Sequence, residues 1–271
     1  MSDTDRACVA FLQWALPQLH MRWPGFRRVH RRVCRRLTRR LSELRLDGLE
    51  AYRLYLEENP GEWARLDQIC RITITRFYRD RRVFALLRAE VLPQLAERCA
   101  TIRAWSIGCA SGEEPYTLAL LWHFELAQRH PHATLDITAT DINPELLARA
   151  RQGLYAGSAI KAVPEDWRQR AFTPVDDAYQ LELALCPQVH FALEDIRQAM
   201  PAGPFDLILC RNLVFTYFDQ NLQAAILARL RERLAPGGVL VLGRHEVLPP
   251  SATGFAPWAG GVPVYRRVET G

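Results

Sequence analysis

The apolar run from Ile102 to Ile107 ends in Gly108 and passes through Cys109-Ala110-Ser111-Gly112 into Glu113-Glu114-Pro115-Tyr116. A buried strand that turns through glycine and opens a helix is the first βα unit of an open α/β sheet, and such sheets bind nucleotides at that turn. The same texture continues along the chain. Pro115 to Arg129 is the helix after the first strand, Thr134 to Thr140 a second strand ending at Asp141, and Pro144 to Gln152 its helix. Ala184 to Phe191 reads as a strand or one arm of a hairpin. Phe205 to Cys210 is a compact buried strand, and Leu222 to Leu234 a helix that Ala235-Pro236-Gly237-Gly238 returns sharply into another strand, Val239 to Leu242. Val262 to Val268 completes the series. Short apolar runs alternating with amphipathic stretches define an α/β class.

Ahead of Pro93 the pattern is helical. Segments Phe26 to Leu44, Gly48 to Glu58 and Trp63 to Thr73 carry apolar residues at helical spacing, between turn signals at Pro24-Gly25, Asp47-Gly48 and Asn59-Pro60-Gly61. The expected organisation is an arginine-rich helical N-terminal domain with its linker over 1–92, followed by an α/β domain over 93–271. The first long helix pairs Arg27-Arg28, Arg31-Arg32, Arg35-Arg36 and Arg39-Arg40 with Val29, Val33, Leu37 and Leu41 interleaved. On a helix this repeat keeps the apolar set on one drifting face with a positive band beside it. The band reads equally as a docking face for an acidic partner or as a solvated surface. Nucleic acid is not favoured, because no aromatic residues are interleaved for base stacking.

At 271 residues, 49% hydrophobic and 24% charged, the chain has ample core for independent folding. The net charge of +5 comes almost wholly from arginine, Lys161 being the only lysine, so genomic base composition explains it as well as function does. Seven cysteines without CxxC spacing predict neither a metal site nor a disulfide framework, and a reducing cytoplasm is the expected setting. The first residues hold Arg6 among acidic side chains and no long apolar run, so neither a signal peptide nor membrane insertion is expected.

The chemistry lies at the strand ends. Glu113 and Glu114 stand where a phosphate-binding loop keeps its helix N-terminus free of negative charge. They would repel a pyrophosphate and suit a positively charged nucleoside without phosphate, of which S-adenosyl-L-methionine is the common one. Taken alone, the pair could simply favour the helix dipole. Asp141 ends the second strand, where a carboxylate can accept from both ribose hydroxyls; as a lone residue it could equally cap the helix at Pro144. Coming one βα unit after the acidic loop, the ribose reading is favoured. Cys210-Arg211-Asn212 delivers further polar groups to the same rim.

Gly108-Cys109-Ala110-Ser111-Gly112-Glu113-Glu114-Pro115-Tyr116, Ala139-Thr140-Asp141-Ile142-Asn143, Cys210-Arg211-Asn212 and Pro236-Gly237-Gly238 together resemble the chemotaxis-receptor glutamate methyltransferases of the CheR type. Thr73-Ile74-Thr75-Arg76-Phe77-Tyr78-Arg79-Asp80 is similar to the segment that joins their helical and catalytic domains. The resemblance runs from roughly residue 45 to residue 268. It implies a Rossmann-like class I methyltransferase sheet with a small all-helical N-terminal domain, S-adenosyl-L-methionine as cofactor and S-adenosyl-L-homocysteine as product. The implied acceptor is a glutamate carboxylate on an acidic helical protein such as a receptor signalling domain, and the implied enzyme is a cytoplasmic monomer. Carried over residue by residue, Thr73, Thr75 and Arg79 lie over the cofactor, Glu114 holds it, Asp141 binds the ribose, Asp195 and Ile196 flank the adenine, and Arg211 and Asn212 complete the pocket. Arg79 and Tyr217 match the groups near the transferred methyl. Two other readings stay open: a methyltransferase acting on a small molecule or nucleic acid, and a non-catalytic regulatory module that binds the cofactor.

Three departures qualify the resemblance. The family commonly has one residue fewer between Asn212 and the Tyr217-Phe218 pair, which leaves the register of Tyr217 open. Gly243-Arg244-His245-Glu246 stands where the family often shows Gly-His-Ser-Glu, and His245 beside Glu246 reads either as an acid-base pair or as structural. Asp176-Asp177-Ala178-Tyr179 lacks the glycine-bearing loop by which some members grip a receptor tail, so such tethering is not expected.

Overall fold

The computed structural model describes residues 3–249, 252–258 and 261–269. They form two compact units: one ends at Ile74 and also takes in Thr216–Gln223, and the other comprises Thr75–Phe215 and the residues from Ala224 onward.

In the first unit the arginine-rich helix, His30–Leu44, buries Val33 and Leu37. Helices Asp3–Ala15, Leu49–Glu58 and Glu62–Cys70 contribute Leu12, Tyr52, Leu56 and Leu66 to the interior. The arginine-rich helix is shorter than its sequence pattern suggests, because the chain first makes a single turn at Trp23–Phe26. The helix expected to reach Thr73 stops at Cys70. Beyond it, Arg71 turns extended and its guanidinium reaches back to Asp67 Oδ2 at 2.7 Å. The β-branched run Ile72-Thr73-Ile74-Thr75 then favours an extended course.

The arginine band divides into two roles. Arg40 grips Glu62 with a two-pronged fork at 2.8 and 2.7 Å, and the Tyr52 hydroxyl donates to the same carboxylate at 2.8 Å. The Arg40 fork holds the buried Glu62 carboxyl below its usual range. Arg36 donates to the carbonyls of Ile69 and Arg71. These two arginines therefore fasten the helices together, whereas Arg27, Arg28, Arg31, Arg32 and Arg35 face solvent.

Cys8 and Cys34 form a disulfide between the first helix and the arginine-rich one, which corrects the expectation of unpaired cysteines. The pair is 26 residues apart and belongs to no spacing motif, so only the packing of the two helices reveals it. Closing a loop of this length contributes about 3 kcal/mol. Cys34→Ser is accordingly expected to lower the unfolding free energy of the first unit, measured by urea titration under non-reducing conditions, by that amount. A digest made without reductant should return the Cys8 and Cys34 peptides linked, and recovery of all seven cysteines as titratable thiols would contradict the pairing.

Among the described residues the second unit holds ten strands: β1 Thr101–Ile107, β2 Thr134–Asp141, β3 Leu154–Ala156, β4 Phe172–Val175, β5 Ala178–Leu181, β6 Val189–Leu193, β7 Phe205–Cys210, β8 Leu234–Leu242, β9 Phe255–Pro257 and β10 Val264–Arg267. Seven of them form one sheet in the order β6-β2-β1-β7-β8-β10-β9. The first five in that order are parallel, β10 runs antiparallel to β8, and the edge strand β9, antiparallel to β10, runs in the direction of the five. Chain order reverses between β1 and β7, and the ends of these strands open the crevice where such sheets bind ligands. Ile102, Ala104, Leu207, Leu209, Val239 and Val241 pack with Leu118 and Leu121 in the core.

A second, three-stranded sheet, β3-β5-β4, is inserted between the helix Pro144–Gln152 and β6. The sequence pattern does not disclose it, because its strands are short and β4 contains Pro174, tolerable only at a sheet edge. The Asp176-Asp177 turn joins β4 to β5, with Asp176 at φ 49°. The strand expected from Ala184 begins only at Val189, after a tight turn over Leu183–Leu185. The return after Arg233 is itself strand: β8 starts at Leu234 and shifts register against β7 between Phe205 and Leu207. Among the described residues, no helix is long and apolar enough to cross a membrane.

Candidate active site

The loop after β1 is built around left-handed backbone. Gly108 has φ +65°, a left-handed conformation that favours glycine, and a Cβ there would push against Leu213 Cδ2 at 2.7 Å. Ala110, at φ 52°, pays the steric cost that glycine avoids. It is held by Asp141 at the end of β2, whose Oδ2 accepts from Ala110 N and whose Oδ1 accepts from Asn143 N, both at 2.9 Å. Asp141 thus joins the ends of β1 and β2. Capping of the following helix falls to Asn143, whose side chain accepts from Glu145 N and Leu146 N.

The two glutamates that open the helix Glu113–Leu121 have separate fates. Glu113 is 4% exposed and takes hydrogen bonds from the side chains of Ser111 and Thr75; its burial pushes the carboxyl above the ordinary range. Glu114 instead turns to the strand ends, where Ser106 Oγ donates to Oε1 at 2.8 Å and Arg211 Nη1 to Oε2 at 2.7 Å. Burial also pushes the Cys109 and Cys210 thiols well up, so neither is a thiolate nucleophile.

Arg211 follows β7 and is the hub of this rim, with its side chain only 1% exposed. Besides Glu114, it donates through Nη2 to Asp80 Oδ2 and to the Arg79 carbonyl, both at 2.8 Å, and its guanidinium lies 5.3 Å from the Phe84 ring. Asn212, at φ 56°, accepts from Arg79 Nη2 at 2.7 Å through Oδ1. Arg79, Glu114, Arg211 and Asn212 are thereby gathered at one place. Asp195 is bound by Arg197 through backbone N and guanidinium, and the Ile196 carbonyl accepts from Arg229 at 3.2 Å.

Thr73 and Tyr217 belong to the first unit. There the Tyr217 ring packs 5.1 Å from that of Phe26, and its carbonyl accepts from Arg22 N at 2.8 Å. His245 is exposed whereas Glu246 is buried, with Oε2 taken by Asn212 N and Gly243 N, an arrangement that does not make an acid-base pair.

Three carboxylate or hydroxyl groups escaped the sequence reading, Asp80, Ser106 and Glu194, and Glu246 was read only as a possible partner of His245. Asp80 and Ser106 follow from the charge and position of Arg211 and Glu114, which need partners once buried. Glu194, at the end of β6, has Oε2 buried without a hydrogen-bond partner, and burial pushes its carboxyl up. Only its place beside Asp195 could have singled it out.

The sheet order, with acidic side chains after β1, β2 and β6 and Arg211-Asn212 after β7, is that of a Rossmann-like methyltransferase. Residues 73–260 match the family described as CheR methyltransferase, SAM binding domain. The chain is 35% identical over 187 residues to a chemotaxis protein methyltransferase of Listeria monocytogenes serovar 1/2a, covering 68% of this chain and 70% of that one. It is 34% identical over 214 residues to the chemotaxis protein methyltransferase of Escherichia coli K12, covering 76% and 72%. An uncharacterised 104.1 kDa protein of Rhodobacter capsulatus is also similar, 34% identical over 227 residues, which are 82% of this chain and 23% of the larger protein. The chain belongs to the CheR methyltransferase family.

Proposed function

We propose that the chain transfers methyl groups to glutamate side-chain carboxylates of an acidic helical protein such as a receptor signalling domain. The observation that carries this reading is Arg79, fixed by Asn212 Oδ1 at 2.7 Å on the rim that also holds Glu114. A guanidinium fixed in this way can orient an acceptor carboxylate, which a neutral or cationic acceptor would not require. The names of the curated relatives support the same direction.

The rim suits the cofactor chemically. In this reading Glu114 holds its ammonium group, Asp141 the ribose hydroxyls, and Asp195 and Ile196 flank the adenine. Glu194, whose buried Oε2 lacks a partner, adds a hydrogen-bonding group to that end. The cofactor supplies an activated methyl on a positively charged sulfur. A glutamate acceptor is already ionised at neutral pH, so it needs no strong base from the protein. The residues therefore act by aligning the acceptor oxygen and excluding water, which together account for much of the rate gain in such sites. The solvent-facing arginines from Arg27 to Arg35 are given a role in attracting an acidic surface.

The test is the chemistry of the product. Lysate protein labelled from methyl-labelled cofactor should release its label as methanol in mild base. Label that stays on protein in base would exclude a carboxyl ester.

A further inference from the structure

We propose that Glu246 is a positioning residue for Arg79, acting through Asn212; this rests on the acceptor-orienting role given to Arg79 above. β7 and β8 lie side by side with Cys210 opposite Leu242, so Asn212 and Gly243 emerge from neighbouring strand ends. The chain then returns through Arg244 and His245, and Glu246 N closes the turn on Gly243 O at 2.9 Å. The Glu246 side chain is thereby turned in between the two strand ends, where the residue is 4% exposed. A single oxygen, Oε2, accepts from Gly243 N and from Asn212 N, both at 2.7 Å.

The bond to Asn212 has a consequence for the site. Asn212 sits at φ 56°, in the left-handed region that asparagine tolerates better than most non-glycine residues and that a hold on its backbone fixes in place. A charged acceptor on its N–H is such a hold, and charge-assisted bonds of this kind are among the stronger ones. With the backbone fixed, Asn212 Oδ1 is aimed at Arg79 Nη2, 2.7 Å away. Gly243 completes the arrangement by leaving room. A Cβ there would lie 2.7 Å from Asn212 Nδ2 and 2.8 Å from Glu246 Oε2. A buried carboxylate on one strand end thus sets the direction of Arg79 through Asn212.

The experiment compares full-length wild type with Glu246→Ala, Glu246→Gln, Arg79→Ala and the Glu246→Ala, Arg79→Ala double variant. It reads S-adenosyl-L-homocysteine affinity by calorimetry, methyl transfer to lysate protein, and amide exchange at residues 212 and 243. Glu246→Ala should lower the transfer rate about a hundredfold, the usual scale for a misplaced orienting group. Its affinity for S-adenosyl-L-homocysteine should stay within about threefold of wild type, and the two amides should exchange faster. Glu246→Gln retains an oxygen for both N–H groups and should recover transfer to within about tenfold of wild type. In the Arg79→Ala background, Glu246→Ala should have no further effect, since the two act as one unit. Independent, multiplicative losses, or a loss of S-adenosyl-L-homocysteine affinity that parallels the loss of transfer, would overturn the positioning role. Normal transfer by Glu246→Ala beside inactive Arg79→Ala would overturn this proposal alone, whereas normal transfer by Arg79→Ala would overturn the parent reading with it.

Discussion

Arg211→Met is expected to lose cofactor binding altogether and to destabilise the second unit by about 3 kcal/mol, the scale for removing one partner of a buried ion pair. The methionine can fill the space against Phe84, but it offers nothing to Glu114 Oε2 or Asp80 Oδ2, each now 2.7–2.8 Å from a guanidinium nitrogen. Two carboxylates with only 16% and 18% side-chain exposure would be left facing one another without a cation. Their repulsion should separate the segment around Asp80 from the helix that carries Glu114. Arg211→Lys keeps the charge but cannot reach Glu114, Asp80 and the Arg79 carbonyl with the same planar fork, so it should restore stability more than binding. Thermal unfolding and calorimetry with S-adenosyl-L-homocysteine separate the two quantities. Wild-type affinity in Arg211→Met would show that the hub does not organise the pocket.

Asp141→Ala is the second large effect, with S-adenosyl-L-homocysteine affinity falling by about a hundredfold or more. Two contributions add. The proposed bonds to the ribose are lost, each worth about 1.5 kcal/mol as a hydrogen bond to a charged group. The hold on Ala110 N and Asn143 N is also lost, which frees Ala110 from its left-handed conformation and loosens the loop between β1 and its helix. Asp141→Asn separates them, since its carbonyl oxygen can still accept from one of the two amides. Recovery of loop order with little recovery of affinity would assign the effect to the ribose. Unchanged affinity in both variants would remove Asp141 from the cofactor site.

Much of this site was legible because open α/β sheets place their functional groups at strand ends, and strand ends can be read. Gly108 after an apolar run, Asp141 after the next and Arg211-Asn212 after a third fall at the carboxyl ends of β1, β2 and β7. What sequence could not provide was how the side chains share their bonds. Arg211 reads as a pocket-lining cation, yet burial turns it into a strut between Glu114 and Asp80. Glu113 and Glu114 are told apart in the sequence only by the resemblance, and it is the direction of the helix start that sends one inward and one to the rim. The three-stranded insertion was hidden for a different reason, since strands of three or four residues are too short to establish a period. Likewise, the pairing of Cys8 with Cys34 depends on which helices pack, which local patterning does not encode.

The central claim is that Arg79 orients an acceptor carboxylate at a cofactor site that depends on it far less for binding than for transfer. The most direct measurement sets S-adenosyl-L-homocysteine affinity against base-labile methyl transfer to lysate protein in wild type, Arg79→Ala and Asp141→Ala. Arg79→Ala should bind within about tenfold of wild type yet transfer about a thousandfold more slowly, a loss on the scale of an essential orienting and charge-stabilising group. Asp141→Ala should lose both. Equal labelling by all three proteins, or base-stable label from wild type, would contradict the account.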